Sequence, residues 1–324
     1  MSDTRAGVAG WAMAAALAAW PVAAAGDGGM LNLVWENDLF SQRDRHYTNG
    51  MQALWVPDAA PPTWLRRVAR LLPAGEMRHG YAIGHAMFTA EDITLTEPPP
   101  GQPPYAGWLY GSAAVSVWNG RRVDQLTLTA GVVGPAALAE QGQKFIHKIT
   151  DSEEPRGWDT QLENEPGVVI TYQRSHRGAA IAAFGGNYFD FTPHFGGALG
   201  NVYTYANAGF TLRYGSRLPR DDGPLRVQPG PPGAGLHAAG DDFGWFLFAG
   251  VDGRAIARKI FLDGNTFEDS RSVDKIPLVA DLQIGLAWMW RGMQLSYAQV
   301  LRTREYEHQP GSADFGSLTL SFPL

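Results

Sequence analysis

Beyond its first 25 residues this chain has no stretch near the roughly 20 consecutive apolar residues that a membrane-spanning helix needs, yet apolar side chains alternate with small or polar ones along much of its length. Backbone groups inside a bilayer must be satisfied by the chain itself, so such a sequence can cross a membrane only as a closed ring of strands. In DLQIGLAWMW (281–290), Leu282, Ile284, Leu286, Trp288 and Trp290 share one face, and Asp281, Gln283, Gly285, Ala287 and Met289 share the other. In VDQLTLTAGVV (123–133), Leu126, Leu128, Ala130 and Val132 oppose Gln125, Thr127, Thr129 and Gly131, a small and polar face suited to a barrel lumen. A soluble sandwich also alternates. Segment lengths of about 9–11 residues, aromatic ends at Trp118 and Trp290, and the export signal described next favour the membrane barrel.

Arg5 precedes the apolar run GVAGWAMAAALAAW, and PVAAAGDGG follows, with Ala23 and Ala25 as small residues before a cut near Gly26. This order reads as a signal peptide over 1–25, leaving 26–324 as one outer-membrane β-barrel domain. There is no cysteine, which excludes disulfides, thiolate metal sites and a cysteine nucleophile. With 26 basic and 32 acidic residues, the net charge of −6 offers no basic field for nucleic acid.

The alternation predicts twelve strands, at 31–37, 47–57, 79–88, 106–118, 122–133, 166–175, 178–188, 202–214, 242–258, 277–290, 292–302 and 314–323. Reading VDGR (251–254) as a turn would give thirteen, against the even number of a closed bacterial barrel. Asn119-Gly120 and Arg291-Gly292 read as tight hairpin turns. Short turns belong on the periplasmic side, which puts 38–46, 89–105, 134–165, 189–201, 259–276 and 303–313 outside. The Pro/Gly-rich segment 215–241 then falls on the inner side despite its length, as does TWLRRVARLL (63–72), an amphipathic helical piece for the inner interface.

Polar residues crowd the first outer connection, WENDLFSQRDRHYTNGM (35–51). Asn37 and Asp38 close one strand and Thr48 opens the next, so they share the outer rim. The longest outer loop reads as a helix from Pro135 to about Thr150, with Gln143 and His147 four apart on one face and Glu140 further back. On spacing alone, a lone loop histidine is more often a surface residue, Asn37-Asp38 a turn, and Thr48 an ordinary strand residue. No G-x-S-x-G elbow, H-E-x-x-H helix or G-x-x-x-x-G-K loop is present.

ENDLF, DRHYTNG, PYAGW (104–108), GQKFIHKI and GWDTQLENEPG (157–167), in this order, resemble the outer-membrane lipid A 3'-O-deacylase (LpxR) family. The resemblance runs from about residue 31 to the C-terminus. It implies a twelve-stranded barrel whose active site lies between the wall and an outer loop helix carrying the catalytic histidine. It also implies calcium-dependent hydrolysis of the 3'-acyloxyacyl ester of lipid A, with lipopolysaccharide as substrate partner. The family's functional residues fall on Asn37, Asp38, Thr48, His147 and Glu153, with Gln143 at the position four before the histidine; Glu153, Asn37 and Asp38 are the implied Ca2+ ligands.

The chemistry suits these residue types, His147 as a base for water and oxygen donors for calcium. Two departures stand out. A family lysine near the third-strand loop has no match in FTAEDITLTEPPP (88–100), which leaves Arg43, Arg45, Lys144 and Lys148 as candidates for lipid phosphates. The final aromatic, Phe322, which barrel-insertion machinery reads at the terminus, lies two residues short of it. A phospholipid esterase and a passive pore are the competing readings.

Overall fold

A computed structural model of the chain describes residues 28–38, 47–150, 152–219, 225–227 and 243–324. The expected signal peptide, Arg43 and Arg45 lie outside these. The alternating segments become strands: β1 (Met30–Asn37), β2 (Tyr47–Val56), β3 (Glu76–Phe88), β4 (Ala106–Asn119), β5 (Arg122–Val133), β6 (Glu165–His176), β7 (Ala180–Phe184), β8 (Asn187–Gly200), β9 (Tyr203–Gly215), β10 (Gly244–Lys259), β11 (Leu278–Trp290), β12 (Met293–Arg302) and β13 (Ala313–Pro323). Each is antiparallel to its neighbours, β13 pairs with β1, and β6 pairs with β8. Since β7 only extends the course of β6 along β8, twelve strands close the barrel. Residues 251–254 run straight through β10, as parity required.

The seventh strand differs from expectation. Gly185 and Gly186 take φ of 60° and 80°, so the chain reverses there, between Phe184 and Asn187. The segment 178–188 is therefore a continuation plus a turn, and 189–201, expected as an outer loop, is instead most of β8. Pro193 and glycines 196, 197 and 200 disguised it. At the first hairpin the loop is Gly120-Arg121, one residue later than expected, because Asn119 still pairs with Arg122; Gly120 supplies the positive φ of 62°. Arg291-Gly292 is the expected tight turn, both residues at positive φ.

These three turns share one end of the cylinder with both ends of the barrel sheet. By the short-turn rule this is the inner end. Among the outer connections only that at 201–202 is comparably short.

The two faces of the wall sort as the alternation required. On β11, Leu282, Ile284, Trp288 and Trp290 are 42%, 58%, 45% and 54% exposed, while Asp281, Gln283, Ala287 and Met289 are buried inside. Trp118, expected in a lipid-facing interfacial girdle, shares its face with Tyr110, Ala114 and Ser116 and so points inward; the parity of β4 decides this.

The lumen is filled. Helix α3 (Ile260–Asp263) dips into the outer mouth, where Phe261 stacks on Phe88 at 3.8 Å. Below it, Asp281 accepts from Arg302 at 2.8 Å and pairs with Arg254 at 2.6 Å. The inner connection that fitted badly by length turns back inside: Leu225 packs with Met30, Val34, Leu54 and Val56, and Arg226 Nε donates to Glu36 at 2.6 Å.

Two helices lie outside the wall. Helix α1 (Thr63–Val68) and a 3-10 turn (Ala69–Leu71) realise the amphipathic piece at the inner end. Helix α2 (Ala139–Thr150) realises the loop helix, but it starts later than expected. Pro135–Ala137 form a separate 3-10 turn, and Leu138, at φ 60°, breaks the two apart.

Candidate active site

At the outer end of β1 to β4 the outward face is covered rather than lipid-facing. Asn37, Asn49, Met51, His85 and Met87 all point away from the lumen, yet all are buried. Register aligns four of the outward positions at one height: Asn37 opposite Asn49, Asn49 opposite Met87, and Met87 opposite Gly107.

Over β3 and β4 the covering layer is the 134–164 loop. Gly107 lets it approach, because a Cβ there would lie 2.6 Å from that of Ala139 and 2.9 Å from that of Ala137. Met87, Ala90, Tyr105, Ala139 and Trp158 form one apolar cluster between wall and loop. His85 Nε2 meets the Ala137 carbonyl at 2.9 Å. A carbonyl only accepts, so Nε2 carries the proton. His85 thus ties the loop to the wall.

On α2, Ala139 and Gln143 are buried against the wall, His147 one turn further on is half-buried, and Lys148 is exposed. The helix packs on β3 and β4. On its outer side Lys144 donates to Glu140 at 2.6 Å, and this hydrogen bond raises the lysine's pKa above its usual value. Trp158 Nε1 donates to Gln143 Oε1 at 2.7 Å. An indole N–H can only donate, so the Gln143 amide is oriented with its NH2 turned elsewhere; that buried Nε2 has no protein acceptor. His147 Nδ1 lies 2.5 Å from the Glu153 carbonyl oxygen. The same logic puts the proton on Nδ1 and leaves Nε2 as the ring nitrogen with the lone pair.

The residues singled out from sequence therefore fall as follows. Asn37 and Asp38 are buried at the outer end of β1. Thr48 lies in β2 at a register irregularity between Tyr47 and Asn49; its side chain is outside the described residues. Gln143 and His147 are on α2, and Glu153 is exposed, its backbone rather than its carboxylate meeting the histidine. Among the described residues no group of three His, Asp or Glu side chains is arranged as a metal cage. Calcium takes amide as well as carboxylate oxygens, and the buried Asn49 Oδ1, beside Asn37, has no hydrogen-bond partner among the described residues. The outer end of β1 and β2 fits such an ion better than Glu153 does.

Sequence reasoning passed over Asn49, His85, Gly107 and Trp158. Asn49 and Trp158 stand inside motifs already noticed, DRHYTNG and GWDTQLENEPG; their burial was the missing signal.

Comparison with known proteins agrees with this architecture. Of solved structures, LpxR from Salmonella typhimurium superposes with a TM-score of 0.72 at 18% identity, covering 90% of this chain and 99% of that one. The β domain of the Bordetella autotransporter BrkA is a weaker likeness, with a TM-score of 0.46 and 9% identity over 91% of this chain and 99% of that one. No curated protein matches. The family model described as outer membrane protein LpxR matches residues 11–324, and the chain belongs to that family.

Proposed function

We propose that the protein is an outer-membrane carboxylic ester hydrolase that removes the 3'-acyloxyacyl chain of lipid A, with its site facing the outer leaflet. The observation that carries this reading is the buried, outward-facing Asn37–Asn49 pair, in register with Met87 and Gly107, where the loop that holds His147 rests on the wall. A lipid-facing wall has no reason to bury amides on its outward face beside a helix bearing an imidazole unless a polar substrate group enters there.

The dimensions support convergence. From Gly107 to Asn37 the aligned row crosses three strand spacings, about 14 Å. From Ala139, seated on Gly107, to His147 the helix rises about 12 Å. A helix laid across the strands from β4 would bring the imidazole near the outer end of β1.

His147 Nε2 takes a proton from water, and the hydroxide attacks the ester carbonyl. The tetrahedral oxyanion then collapses, the alkoxide leaves with the proton returned by the imidazolium, and the products are a carboxylic acid and a shortened lipid alcohol. The Glu153 carbonyl holds the ring in the tautomer this needs and stabilises its charged form. Gln143 Nε2–H, oriented by Trp158, is a donor for the substrate carbonyl or the oxyanion. Thr48 orients water or substrate. Asn37, Asp38 and Asn49 are the oxygen donors for Ca2+; Glu153, the family position, would have to turn its carboxylate inward to join them. Bound there, calcium would polarise the carbonyl and stabilise the developing charge.

The mature protein in detergent, incubated with lipid A and calcium, should release a 3'-linked acyl chain by mass spectrometry, and a chelator should stop release until calcium is restored. Full release in the chelator would reject the metal. Release from glycerophospholipids but not lipid A would make the protein a phospholipid esterase. A passive pore is disfavoured by the lumen, where Phe88, Phe261 and the Asp281 ion pairs are packed. Phe322, on the outward face of β13 opposite Leu31, is the residue we assign to recognition by the barrel-insertion machinery, two places short of the chain end.

A further inference from the structure

The lipid-facing wall carries a charged cluster far from the crevice. On the outer face of β5 and β6, near the inner end, Asp124 is only 1% exposed. Its Oδ2 lies 2.9 Å from Arg122 Nε, and its Oδ1 accepts from Arg174 Nε at 2.7 Å and from the Tyr172 hydroxyl at 2.6 Å. Strand parity shows that these groups face lipid. Asp124 alternates with Leu126 and Leu128, and Arg174 and Tyr172 with Ile170; Leu128 and Ile170 are 47% and 49% exposed.

Two guanidinium groups on one carboxylate leave a net charge of about +1 on that face. An arginine on the lipid side of a barrel is costly at mid-membrane and cheap near the interface. The cluster sits at the cheap level, because Arg122 begins β5 directly after the Gly120-Arg121 turn.

More positive charge lies alongside. Helix α1 rests on the same outer wall, Leu65 and Ala69 packing with Val115, Val117 and Leu126, and Leu126 is one outward position from Asp124. Arg66, Arg67 and Arg70 are exposed on it, next to exposed Trp64 and Leu71. Arg174 uses only Nε on Asp124, and its guanidinium also lies 5.8 Å from the centre of the Phe195 ring. Its two terminal nitrogens point their donors to something other than Asp124.

We infer that Arg122, Asp124 and Arg174, with the basic side of α1, bind the headgroup phosphate of an anionic inner-leaflet phospholipid. Asp124 holds the two forks in place and cancels one charge. The planar guanidinium groups match phosphate oxygens, and the acyl chains run up the wall over Leu128, Ile170 and Phe195. This lipid is no substrate, since the crevice is at the other end of the strands.

Native mass spectrometry of the full mature protein tests this, with phosphatidylglycerol, phosphatidylcholine and inorganic phosphate as separate probes. The folded wild type should retain phosphatidylglycerol over phosphatidylcholine, and Arg122→Gln/Arg174→Gln should weaken that retention about tenfold or more. Folding is read from heat-modifiable gel mobility. If the double variant does not fold, Arg174→Lys decides, since it keeps the charge and loses the fork: weakened retention supports the site, and retention equal to wild type overturns it. Equal retention of the two lipids by the wild type, or phosphatidylglycerol displaced by inorganic phosphate at the same concentration, would also overturn it.

Discussion

Asp281 inside the barrel and Asn49 outside it are both nearly sealed from water, at 1% and 6% exposure, but their surroundings treat them in opposite ways. Asp281 has Arg302 and Arg254 against it, and Glu36 in the same lumen has Arg226 and the Val227 N–H. Such charges are closed on one another, which is what a packed interior requires. At the outer end of β2 and on α2, by contrast, Asn49 Oδ1 and Gln143 Nε2 are buried without partners among the described residues. Leaving a buried polar atom unmatched costs about 1–3 kcal/mol, a cost that a binding site recovers when its ligand arrives. The lumen's polar groups hold the barrel together, and those of the crevice wait for something else.

That contrast can be broken in four ways. The largest effect is expected from His147→Ala, which should lower ester hydrolysis by about 10²- to 10⁴-fold while heat-modifiable mobility stays that of the wild type. Hydrolysis that survived the change would place the chemistry elsewhere. Asp281→Ala should do the reverse. It strands Arg302 and Arg254 and should cost about 3–5 kcal/mol in denaturant unfolding, with turnover per folded molecule unchanged; a stable variant with lost turnover would tie the lumen to catalysis. Gly107→Val pushes a side chain into Ala137 and Ala139, lifts α2 from the wall, and should reduce kcat by about 10²-fold in a barrel of normal stability. The smallest effect is that of Trp158→Phe, which keeps the edge-on packing against Tyr105 but removes the hydrogen bond to Gln143. It should loosen the loop by about 1 kcal/mol, seen as faster proteolysis between residues 134 and 164 with the strands intact.

Much of the wall was legible because a strand shows its two faces in its sequence. Leu282, Ile284 and Trp288 are exposed, and Asp281 and Gln283 are buried, as the period of two demanded. The errors came where local chemistry imitates a different element. Pro193 with three glycines looks like a loop, and β8 became visible only through its pairing with β6 and β9. Trp118 looks like a girdle aromatic, and counting from Tyr110 turns it inward. At the site, the motif residues Asn37, Gln143 and His147 were found from the family resemblance, whereas Gly107 and His85 could be valued only once the loop was seen resting on them.

Alternation, and the lack beyond the first 25 residues of an apolar run long enough for a spanning helix, are properties of consecutive residues, and they point to a membrane barrel with strands of readable facing. The folding of 225–227 into the lumen against Glu36, the seating of the loop before and at the start of α2 on Gly107, and the pairing of Arg122 and Arg174 through Asp124 join residues 30 to 191 positions apart. No local pattern encodes such contacts; they exist because the closed sheet brings distant strands to fixed neighbouring heights, where charge and shape decide what can pack.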